Sequence, residues 1–63
     1  MSFKEAISLI SAWPRDRNVP RLMKDVYKRS NKDDRIDIVR ATESLYAAAG
    51  SDEDIELIQK YWN

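Results

Sequence analysis

The chain has 63 residues with no cysteine and no histidine, and its 11 basic and 11 acidic side chains cancel. A sequence this short holds one domain, buries only about 60% of the surface its unfolded form exposes, and lacks both the thiols of a disulfide framework and the ligands of an ordinary zinc site. Stability must then come from helix packing, with self-association as a second source.

The first element opens on Ser2-Phe3-Lys4-Glu5, an S-x-x-E capping box, and carries Phe3, Ala6, Ile7, Ile10 and Trp13 at helical spacing. Pro14 ends it, because the residue before a proline disfavours the α region. After the polar run Arg15-Asp16-Arg17-Asn18, a second helix starts with Asn18 as N-cap and Pro20 in the first turn. Val19, Leu22, Met23 and Val26 form its core side; Arg21, Lys24 and Lys28 form the other. The third helix has Asp33 and Asp34 in its first turn and an expected buried stripe of Ile36, Val39, Thr42, Leu45, Tyr46 and Ala49. Gly50 is placed as a left-handed C′ residue, at which valine should be costly. Ser51 then caps a fourth helix with Asp52, Glu53 and Asp54 in its first turn and Ile55, Leu57, Ile58, Tyr61 and Trp62 along its apolar edge. The expected fold is all-α: a single domain over 1–63, a bundle of three to four short helices near 3–12, 19–29, 33–49 and 52–61.

Glu5 near the start and the lack of a long early apolar run argue against a signal peptide, and no stretch reaches the ~20 apolar residues of a membrane span. With no cysteine, the expected location is cytoplasmic, without a membrane partner.

Charge is polarised along the sequence. Residues 15–40 hold nine basic against five acidic side chains, an excess of four positive charges; residues 41–63 hold five acidic side chains against Lys60 alone, an excess of four negative ones. Arg17, Arg21, Lys24 and Lys28, with Lys32 beyond them, follow one line at steps of three and four. Such a ridge is either the solvated side of an amphipathic helix or a surface for an acidic partner, protein or nucleic acid. The pI of about 6.2 lies far below that of dedicated nucleic-acid binders.

Catalytic signatures are missing. Nucleophilic catalysis wants a Ser, Cys or Thr beside a base, usually histidine, and no histidine exists. Asp33-Asp34 and Asp52-Glu53-Asp54 sit where helix first turns favour negative charge, and neither run has the calcium-loop pattern. A single glycine excludes a glycine-rich phosphate loop. No catalytic, cofactor-binding or metal-binding residue is expected. Phe3, Trp13 and Tyr46 are expected in the core. Tyr61 and Trp62 must dock on the domain or reach a partner, docking being favoured by the large area a tryptophan buries. Ala47-Ala48-Ala49 leave room for close approach of another helix, within the domain or across a homodimer.

The order of elements resembles small helix-turn-helix regulators, in which short helices surround a basic recognition helix. The glycine-bearing turn between the two motif helices is missing, and Gly50 precedes an acidic helix. The expected function is therefore that of a non-enzymatic interaction protein, an adaptor, inhibitor or regulator, binding a larger protein through Arg17, Arg21, Lys24, Lys28 and Trp62. The alternative is a DNA- or RNA-binding regulator using the basic second helix.

Overall fold

The computed structural model describes residues 2–63, with side chains from Lys4 onward. Four helices follow in order: α1 (Ser2–Ala12), α2 (Val19–Arg29), α3 (Lys32–Ala48) and α4 (Asp52–Trp62), with no strand among the described residues. The fold is the expected all-α bundle. The capping box at Ser2 and the core role of Phe3 lie outside the described side chains.

Helices α2 and α3 form the centre of the bundle, because each packs on all three others, while α1 and α4 each lie on this pair. The reason is compositional. Val19, Pro20, Met23 and Val26 are buried along one side of α2, while the opposite side is charged. Met23, Ile38, Leu45, Ile58, Val19 and Pro20 are the largest fully buried side chains, so α2, α3 and α4 supply the bulk of one core to which α1 adds the small Ala6. Full burial of an aliphatic side chain of this size contributes about 1.5–3 kcal/mol.

Helix starts follow the sequence at Ser51, add a cap at Asn31 that the sequence reading does not name, and correct the one at Asn18. Asn31 accepts the Asp34 N–H at 2.8 Å and Ser51 accepts the Asp54 N–H at 3.4 Å, each capping a helix from an extended conformation. Asn18 does not cap α2 with its side chain. It is already helical, at φ −85° and ψ −7°, and its N–H donates to Asp16 Oδ1 at 2.9 Å. An extended N-cap is what lets a side chain turn back on the first N–H groups, and Asn18 lacks that geometry.

The phase of two helices also differs from the sequence reading. In α1, Ala6 and Trp13 are buried with Leu9 and Ile10 packed against the core, but Ile7 is 50% exposed. In α3, Thr42 and Leu45 are buried as expected, yet the rest of the inward face is Ile38 and Ala41. Ile36, Val39 and Tyr46 are 51%, 47% and 38% exposed, and Ala49 lies beyond the helix as its C-cap. Helix α3 carries apolar residues on two sides, and the positions of α1 and α2 decide which side is covered. In α4, Ile58 is buried, Leu57 and Trp62 pack at the edge, and Ile55 is left 36% exposed.

Gly50 is not left-handed: no described glycine has a positive φ. The chain leaves α3 by turning extended at Ala49 (φ −64°, ψ 128°), whose N–H donates to Tyr46 O. Gly50 N–H donates to Asp54 Oδ2 at 2.8 Å, and a Cβ at Gly50 would meet that oxygen at 3.8 Å, an ordinary contact. Gly50→Ala should therefore raise stability, by about 0.4–1 kcal/mol through the unfolded chain. Urea titration checks this; a loss of stability would restore the left-handed reading.

Candidate interaction surface

The exposed side of α2 is built from three levels. At the level of the helix, Arg21, Lys24 and Lys28 lie three and four residues apart and so rise on one line, opposite Val19, Met23 and Val26. Arg17 precedes α2 and belongs to the turn between α1 and α2.

At the level of contacts, these cations differ. Arg17 is bound inward. Its Nη1 donates to Asp54 Oδ1 and to Pro14 O at 3.3 Å, and its guanidinium lies 5.1 Å from the Trp13 ring centre. Arg21 faces Asp25 one turn on, 3.7 Å away, an exposed pair worth a few tenths of a kcal/mol. Lys24 sits over two rings at once, with Nζ 4.9 Å from Tyr27 and 4.6 Å from Trp62. Lys28 is exposed, and no described carboxylate pairs with it.

At the level of tertiary structure, Trp62 is docked. Its Nε1–H donates to Pro20 O at 3.0 Å, and its ring meets Tyr27 edge-on at 5.5 Å and 76°. On the same tyrosine lies Arg35 from α3, 5.0 Å from the ring centre. Arg35 also donates from Nε to Tyr27 O and from Nη2 to Lys28 O, both at 3.0 Å. Those carbonyls belong to the last turn of α2; Tyr27 O also accepts the Ser30 N–H at 3.2 Å, so the cation from the next helix supplements that cap, serves Lys28 O and meets the negative end of the macrodipole. The result is a fixed ledge of Tyr27 and Trp62 flanked by Lys24 and Arg35.

No protein-family model matches the chain, and no curated protein or solved structure matches it. The surface is therefore read from its chemistry. The ledge continues into an open groove of about 780 Å³ between the end of α2 and the start of α3, with Ile36 and Val39 as apolar lining and Lys32, Arg35 and Arg40 around it. Among the described residues no cluster of three or more metal-ligating side chains occurs.

In the sequence Asp54 is one of three acidic residues in the first turn of α4. It is in fact buried and receives Gly50 N–H and Arg17, with Ser51 capping its own N–H. The Gly50 N–H and then the Arg17 guanidinium hold its carboxyl below the usual carboxylate range, against the opposing effect of burial. With one donor on each oxygen, the carboxylate ties the Gly50 turn to Arg17 and so holds the loop ahead of α4 in place. The sequence does contain a signal for it: Ser51-Asp52-Glu53-Asp54 is an S-x-x-D box. Arg35 has no local signal, because its partners lie on another helix.

Proposed function

We propose that this chain is a small non-enzymatic interaction protein, an adaptor, inhibitor or regulator, that binds a larger protein through the outer face of α2. The observation that carries this reading is the ledge of Tyr27 and Trp62 with Lys24 and Arg35 held against its rings. A face that is merely solvated needs no such order, since lysines there extend into water. Aromatic and arginine side chains are enriched at protein interfaces, and ones already fixed by intramolecular contacts lose little freedom on binding. Arg21 and Lys28 add unburied positive charge beside the ledge, which favours an acidic patch on the partner and speeds encounter. Arg17 contributes by anchoring the turn that leads into α2, and Trp62 by forming the ledge.

The test is affinity capture from the native cell, with and without nuclease, using the parent chain and an Arg21→Glu/Lys24→Glu variant. A protein retained after nuclease by the parent, and lost by at least about tenfold in the variant, is the expected result. Binding by the reversed variant equal to the parent would overturn the proposed face. Capture abolished by nuclease would instead favour nucleic-acid binding through the same cations. Circular dichroism of the variant, expected to match the parent, separates loss of contact from loss of fold.

A further inference from the structure

Helix α3 has a second apolar face. Ile36, Val39 and Tyr46, with the exposed Ala47, fall within an arc of about 100° at 3.6 residues per turn, over about 15 Å of helix. This face is turned away from Ile38, Ala41 and Leu45, and Ile36, Val39 and Tyr46 on it stay 51%, 47% and 38% exposed in the bundle. Apolar residues at this spacing are the mark of a helix that packs on another helix.

Its charges have an order. Lys32 and Arg40 lie on this side in the first half of α3, and Glu43 lies on it in the second half. Among the described residues no ion pair involves any of the three. A wholly acidic helix laid along the face would meet Glu43, and a wholly basic one would meet Lys32 and Arg40. The complement of this order is the same face run in the opposite direction.

We propose that a second copy of this chain docks here, α3 against α3, antiparallel about a two-fold axis that crosses the face level with Ala41 and Thr42. In that register Arg40 of each copy lies beside Glu43 of the other, and Ile36 lies against Tyr46 and Ala47 of the other. Lys32 of each reaches the C-terminal end of the other α3, where the final carbonyls carry partial negative charge. Such a contact is isologous, so each complementary pair occurs twice and the assembly closes at two. The small side chain of Ala47 permits close approach of the two backbones. The face is small beside the roughly 1,200–2,000 Å² of stable complexes, which places the dimer in the micromolar range or weaker. The inference is argued from α3 alone; because Ile36, Val39, Lys32 and Arg40 also line the groove beside the α2 ledge, a dimer formed here covers part of that groove.

Sedimentation equilibrium of the parent chain, from about 1 μM to about 1 mM, should show a monomer–dimer equilibrium. Arg40→Glu and Glu43→Arg should each weaken dimerisation at least about tenfold, and the double exchange should restore it to within about threefold of the parent. Val39→Asp should abolish it. All three positions changed, Val39, Arg40 and Glu43, are exposed, and unchanged circular dichroism of the monomers verifies the fold. A monomer throughout the range, a double exchange that fails to restore association, or a dimer indifferent to Val39→Asp would each overturn the proposal.

Discussion

Trp13→Ala should abolish cooperative folding at room temperature. Trp13 is 5% exposed just past the end of α1, belongs to the core cluster and is tied to α3. Its Nε1–H donates to Leu45 O at 3.0 Å. In a continuing helix that carbonyl would accept from Ala49 N–H, but Ala49 N–H goes to Tyr46 O, so the indole satisfies a carbonyl that the helix end releases. Truncating a buried tryptophan to alanine costs about 3–5 kcal/mol, and a core of this size supplies only about 3–5 kcal/mol in total. Trp13→Phe separates the two contributions. It keeps most of the ring and strands the carbonyl, for an expected loss of about 1–3 kcal/mol with a cooperative transition retained. Thermal and urea unfolding followed by circular dichroism measure both. A cooperative Trp13→Ala protein within about 1 kcal/mol of the parent would show that the indole is not the keystone of the α1–α3 contact.

Asp54→Asn should lower stability at neutral pH and remove one acid-sensitive step. Asp54 ties together three parts of the chain: its own helix start at Ser51, the Gly50 backbone and, 37 residues away, Arg17. Its pKa is lowered in the folded protein from the ordinary 3.8, first by the Gly50 N–H and next by Arg17. A lowered folded pKa means that the unfolded chain takes up the proton first on acidification. The stabilisation is therefore full well above pH 3.8 and is lost as the pH falls through 3.8 toward the lower folded value. The stability gap between the parent and Asp54→Asn should be widest near neutrality and close in acid. Urea titrations from neutral pH down to about pH 2 measure it. A gap that stays constant over that range would mean that the carboxylate charge contributes nothing and that only shape is lost.

These two residues also mark the boundary between local and tertiary information. The existence and extent of the four helices were legible in the chain because their determinants are local. Pro14 stops α1, Pro20 sits in the first turn of α2, Asp33 and Asp34 open α3, Ser51 caps α4, and each segment carries an apolar stripe. The line of Arg21, Lys24 and Lys28 was legible for the same reason, since spacing along one helix fixes their common side.

What the sequence left open depends on which surfaces meet. Ile36, Val39 and Tyr46 have the same periodicity as Ile38, Ala41 and Leu45, so periodicity could not choose between the two sides of α3; the docking of α1 and α2 chose. Gly50 suited a left-handed cap, but the Asp54 carboxylate receives its N–H and the chain passes extended instead. The Arg17–Asp54 pair, the Arg35 cap on α2 and the seat of Trp62 on Pro20 join residues 37, 8 or 7, and 42 positions apart. Propensity and capping act within a turn or two of chain and are written residue by residue. The pairing of helix faces and the destination of a long cation are settled only when the whole core closes, because burial and hydrogen-bond satisfaction are then decided for all four helices together.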